Sequence, residues 1–158
     1  MTCQLAGVLL AATMFGATRA SAQIEQEPRV AVLGTVRTFF QGMRARDSSL
    51  MRLAVDSVAT LSGPSMSRNG AVIVRSIPMA RFISSVVNSK GDAWDERIYK
   101  PEIQLADYLA TVWVEYDFYT GTTFHHCGVD AIQLAKTSSG WRIFQIADTE
   151  KTVNCPTR

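Results

Sequence analysis

Apolar residues recur at Val32, Leu33, Val36, Phe40 and Met43, with Phe39 broadening the stripe. This i, i+3, i+4, i+7 spacing buries one side of an α-helix, and it predicts a helix over Pro28 to Met43 with Pro28 in the first turn. Asp47 then suits the N-cap of a second, shorter helix that puts Leu50, Met51 and Leu53 on its buried side. "SVATLSG" predicts a strand, Gly63 to Gly70 a loop, and Ala71 to Arg75 a second strand. A third helix follows, with Ser76 as cap, Pro78 near the first turn, Met79, Phe82 and Ile83 on the apolar face, and Gly91 as stop. From there the period of alternation changes to two. Ala93 to Gln104, Leu109 to Tyr119, Thr122 to Lys136 and Trp141 to Asp148 predict four strands joined by short turns.

Helices first and an antiparallel meander afterwards give an α+β fold, with helices covering one face of a curved sheet. Three phrases in that order, "TVRTFFQGMRARDSSLMRL", "ATVWVEYDFY" and "HCGVDAIQLAKTSSGWRIFQIADT", span most of the chain between Val30 and Thr149. In them the chain resembles the nuclear transport factor 2-like superfamily, in particular its SnoaL-like and lumazine-binding-like branches. The resemblance implies a cone-shaped, mostly antiparallel sheet packed against three helices of the N-terminal half, with an open mouth. Such folds host dehydratases, isomerases, cyclases and proteins that only bind ligands, so the resemblance by itself assigns no activity. An isomerase-like Asp and Tyr pair cannot be matched residue by residue.

Ahead of the first helix, Leu5 to Ala17 is an uncharged apolar run, and Ala20-Ser21-Ala22 supplies a small-x-small cleavage pattern. Residues 1–22 therefore read as a secretory leader, although its first residues lack Lys and Arg. The run falls short of the roughly 20 residues that span a membrane, so no integral span is expected after cleavage. What remains, residues 23–158, is the size of a single domain. Loss of Arg19 takes the formal net charge from +2 to +1, and the basic residues are scattered, which argues against a nucleic-acid partner. Cys127 and Cys155 remain as an even pair in a chain bound for the periplasm or the exterior, and they predict a disulfide worth roughly 3 kcal/mol.

The candidate chemistry centres on "FHHCGVD", Phe124 to Asp130. On a strand His125, Cys127 and Val129 share one face, and His126, Gly128 and Asp130 the other. A type I turn at Ser138-Ser139 with Gly140 as a bulge would pair Thr137 with Trp141, Leu134 with Phe144, Ile132 with Ile146, and Asp130 with Asp148. A two-residue turn would instead separate the aspartates. In the preceding hairpin His126 faces Glu115 or Tyr116. The Tyr116 parity turns Val112, Val114, Tyr116 and Phe118 inward, leaves Glu115 and Asp117 to solvent, and puts Trp113 on the outer sheet face, where it would suit a homodimer contact.

Two carboxyls in a sheltered place repel, so one keeps its proton and an acid and a base lie side by side. Asp130, Asp148 and His126 are accordingly the candidate catalytic residues, and Tyr116, Phe118, His126 and Asp130 the candidate ligand contacts. Their structural alternatives are a strand-end cap for Asp148, an Arg partner for Asp130, and a hydrogen-bonded wall position for His126. No metal is expected: His125, Cys127 and Cys155 make an incomplete set without paired Cys-x-x-Cys spacing. Nor is there a phosphate loop or a nucleophile elbow. The sequence thus points to an exported domain binding a small, largely apolar molecule. Its alternatives are a cofactor-independent dehydratase or isomerase and a noncatalytic dimerising module.

Overall fold

The computed structural model describes residues 16–157, with side chains for 26–157. The expected leader, residues 1–22, lies outside the described side chains. No described helix is long and apolar enough to cross a membrane.

Helix α1, Gly16–Ala45, buries Val32, Val36, Phe39, Phe40 and Met43. It begins upstream of the predicted start, so Pro28 lies inside it. A proline there removes one backbone donor and crowds the preceding turn, yet the residues before it can stay helical. Helix α2, Ser48–Ala54, starts where predicted: the Asp47 carboxylate accepts from the backbone N–H of Ser49 at 2.8 Å and of Leu50 at 3.1 Å. Leu53 is 58% exposed, contrary to expectation, because this seven-residue helix buries only Met51 and Ala54. Asp47→Ala should destabilise the domain by about 1 kcal/mol through the lost cap, read as a lower urea midpoint at unchanged slope.

Strand β1, Val55–Met66, continues through Gly63 and Pro64, where a loop was predicted. Beyond Ser62 it has a neighbour on one side only, strand β2, Val72–Pro78. Such an edge tolerates a residue without an N–H. Ser76 belongs to this hairpin, accepting the Ser62 hydroxyl at 2.8 Å, and is not a helix cap. Helix α3, Met79–Val87, starts after Pro78 and ends at Asn88, before Gly91. Asn88 closes it by donating its N–H and its side-chain amide to the Ser84 carbonyl.

Strands β3 (Trp94–Ala106), β4 (Leu109–Thr120), β5 (Thr123–Thr137) and β6 (Gly140–Lys151) form the predicted antiparallel meander. The six-stranded order is β2-β1-β6-β5-β4-β3, with β1 parallel to β6. The segment through α3 thus carries the chain from one edge of the sheet to the other, which lays α3 and α1 over a single face. The fold is α+β, a mostly antiparallel sheet with three helices. Its core interleaves the α1 stripe and Met79, Ile83 and Val86 of α3 with Val112, Val114, Ile132, Leu134 and Ile146 of the sheet.

On the opposite face Trp113 is 52% exposed, as its parity predicts. Asp117, expected in solvent, is buried instead. Its cross-strand neighbours are Arg97 on β3 and Cys127 on β5. Cys127 is joined to Cys155 with a Cα separation of 5.9 Å, which ties the C-terminal tail to this face. Alternation along a strand cannot anticipate such a cover.

Candidate functional site

The β5–β6 register places Asp130 opposite Asp148 and Ile132 opposite Ile146. It arrives there by an unexpected route. The connection is the two-residue turn, pairing Thr137 with Gly140 and Lys136 with Trp141. A bulge further along then leaves Leu134 opposite Ile143, so Phe144 is the extra residue and not the partner of Leu134. Each departure shifts the alternation by one, and the two shifts cancel.

A second bulge lies between β4 and β5. His126 pairs with Phe118, and the two rings stack with centroids 4.7 Å apart, while Tyr116 stands opposite Gly128 and not His126. Tyr116 and His126 still share the inner face and meet edge to face at 5.6 Å. His125 is the extra residue. It was expected on the outer surface, but the bulge turns it to the mouth of the cavity, where its Nδ1 lies 2.8 Å from that of His126.

Two glycines make room for the polar groups. A Cβ on Gly128 would lie 1.8 Å from the Thr149 carbonyl oxygen and 2.6 Å from the Tyr116 ring. Its absence lets the Tyr116 hydroxyl donate to that carbonyl at 3.0 Å. A Cβ on Gly63 would lie 2.5 Å from Asp148 Oδ1, so β1 approaches Asp148 closely only because residue 63 is glycine.

Beneath α1 and α3 the sheet leaves a cavity of about 340 Å³. One wall is a continuous aromatic run: Phe39 to Phe82 at 6.2 Å, Phe82 to Trp94 at 6.3 Å, Trp94 to Phe118 at 6.0 Å. The polar lining is Glu96, Asp130, Asp148 and Glu150, with Tyr116, Thr120 and the two histidines. The structure therefore brings Tyr116, Phe118, His126, Asp130 and Asp148 around one space, and leaves Cys127 and Cys155 in the disulfide on the outer face. Glu96 was missed. It shares strand parity with Trp94 and Ile98, and that alternation was the signal that could have placed it inside.

Burial dominates the electrostatics. Asp130, 2% exposed, has its pKa pushed up to about 7, chiefly by desolvation and further by the Asp148 charge, against an opposing hydrogen bond from Glu96. Glu96 is raised well above the usual carboxyl range by burial, then by the charge and hydrogen bond of Asp130. Glu96 and Asp130 thus face each other as two carboxyls that both hold protons more tightly than exposed ones. Asp148 is also raised by burial, with the Glu150 charge adding to it. The Tyr116 phenol moves up for the same first reason and stays neutral. His126 is lowered by burial, against the pull of Glu150 at 3.9 Å. A protonated acid hydrogen-bonded to a carboxylate in an apolar cavity can give a proton to a bound molecule and take one back.

His125, His126 and Glu150 bring ligating atoms within 4.8 Å of one another. The facing imidazole nitrogens are within hydrogen-bond distance, one donating and one accepting. The cysteines weighed as ligands with His125 are committed to the disulfide.

No family model and no curated protein matches the chain. Solved structures do. An NTF2-like protein with a cystatin-like fold from Novosphingobium aromaticivorans is 11% identical with a TM-score of 0.67, over 90% of this chain and 94% of that one. An NTF2-like protein of unknown function from Shewanella baltica is 17% identical with a TM-score of 0.61, over 80% and 95%. An NTF2-like superfamily protein from Salmonella enterica serovar Typhimurium is 13% identical with a TM-score of 0.61, over 85% and 96%. The chain has the NTF2-like fold.

Proposed function

We propose that this NTF2-like domain is an exported small-molecule-binding protein whose largely apolar ligand occupies the cone. The cavity carries the proposal: it is open, walled by aromatic side chains, and floored by a few convergent polar groups, the usual composition of a ligand site. The leader pattern and the disulfide support export. A thermal-shift screen of small apolar molecules with one polar end tests it, since a ligand at a hundredfold excess over its Kd stabilises by about 2.7 kcal/mol. Leu61→Trp, which fills the cavity from β1, should abolish the shift. A hit that stabilises this variant as strongly as the wild type would place binding elsewhere.

The contact between Glu96 and Asp130 favours a second reading, proton transfer on the bound molecule as in an isomerase or dehydratase, with Asp130 as base, Glu96 or Asp148 as acid, and His126 as an orienting group. In heavy water such an enzyme would place deuterium on a carbon of its ligand, detected by mass spectrometry, and Glu96→Gln would stop the labelling while binding persisted. A ligand recovered unlabelled and unchanged from the wild type leaves the binding function alone.

A further inference from the structure

Among the buried aspartates, Asp95 and Asp130 have contrasting partners. Asp95 is held by two guanidinium groups, accepting from Arg44 Nε and, at 2.9 Å, from Arg97 Nε. Asp130 is more deeply buried and has no such cation: its Oδ2 has no hydrogen-bond partner among the described residues, and it lines the cavity. Among the described residues four carboxyl groups line that space, and no Lys or Arg does. Of the described lining residues only the two histidines could supply positive charge, and their Nδ1 atoms lie 2.8 Å apart at the mouth.

We propose that the ligand is an organic cation, an amine with an apolar body, whose ammonium group lies against Asp130 and Asp148 while its carbon skeleton follows the aromatic wall. This rests on the binding function proposed above and names its ligand class. Four physical terms converge on it. The ammonium donates to the unpartnered Asp130 oxygen, supplying what a buried carboxylate otherwise lacks. It meets carboxyl charge in a sheltered, low-dielectric space where attraction is strong. The aromatic wall of Phe39, Phe82, Trp94 and Phe118 takes the carbon skeleton by removing apolar surface from water. An anionic ligand of the same shape meets the same carboxyls as like charges and is rejected. The pKa values of Asp130, Glu96 and Asp148 are raised first by burial and then by neighbouring carboxyl charge, and an ammonium group between them would oppose the second of these.

Three probes of one shape test it on the whole mature domain at pH 7.5 and low salt: 4-phenylbutylamine, 4-phenylbutan-1-ol and 4-phenylbutanoate, titrated calorimetrically. The amine should bind at least about tenfold tighter than the alcohol and the alcohol tighter than the carboxylate, on the scale of one charge-assisted hydrogen bond. Asp130→Asn should remove most of the amine's advantage over the alcohol while leaving the alcohol bound. If that variant does not fold, Asp148→Asn makes the same comparison from the neighbouring strand. Alcohol equal to amine, or carboxylate tightest, overturns the cation and leaves the cavity's binding role standing. Failure of all three probes also overturns the cation, and the binding role then stands or falls on the wider screen.

Discussion

Asp130→Asn should be more stable than the wild type at pH 8 and should lose much less stability between pH 4 and pH 8. The carboxyl of Asp130 keeps its proton to about pH 7 in the folded domain, whereas an unfolded aspartate releases it near 3.8. Between those values the folded state binds the extra proton, so stability falls as pH rises. The contribution is fully present below the unfolded pKa and gone above the folded one. A shift of this size corresponds to on the order of 4 kcal/mol. Glu96 and Asp148 are raised and act with the same sign. His126 acts oppositely: its folded pKa is lowered, so its share is present above the unfolded value and lost on acidification. The groups facing Asp130 across the cavity from α1, α3 and β1 are apolar, Phe39, Met79, Phe82 and Leu61, and add no titration of their own. Urea midpoints at pH 4.5, 6 and 7.5 for both proteins measure the effect. Parallel profiles would show that Asp130 titrates normally in the fold.

Breaking the disulfide has a comparable expected effect. Cys127 and Cys155 are 28 positions apart, and the chain-entropy model assigns a loop of that size about 3.5 kcal/mol. The tail from residue 152 onward forms no strand, so the bond is what fixes it over the buried side of Cys127. The double variant Cys127→Ala/Cys155→Ala should unfold at markedly lower guanidinium, and dithiothreitol should bring the wild type to the same midpoint. Coincident transitions with and without reductant would mean that the bond contributes nothing. The cavity lies on the other face of the sheet, so ligand binding under native conditions should survive reduction.

The NTF2-like fold was legible because its signals are local and redundant. The α1 stripe repeats over several turns, and the strands of the meander alternate over many residues, so single exceptions do not obscure the period. Element ends were less legible. Pro64 reads as a loop residue unless it is known that β1 has lost one neighbour there, and Ser76 reads as a cap unless the hairpin with Ser62 is known. Both depend on contacts with distant residues.

The inner face was assigned correctly at Tyr116, Phe118, His126, Asp130 and Asp148 because parity survives an even number of errors. The turn at Ser138-Ser139 and the bulge at Phe144 each reversed it, and together restored it. At His125 a single bulge was enough to move a side chain from the outside to the cavity mouth. Glu96 was invisible as a partner of Asp130 because the two stand on strands separated by β4, and no spacing along the chain encodes that distance.

Residue order alone determined the succession of helices and strands, the α+β class, the cysteine pairing and the inward face of His126 and Asp130, since each follows from periodicity or from a count. Only the tertiary structure decided that, among the described residues, Asp95 has two arginines and Asp130 none, and that Glu96 completes the acidic floor. Those facts arise from which strands lie side by side and from where bulges reset the alternation. They are set by packing across the sheet, which no local pattern records.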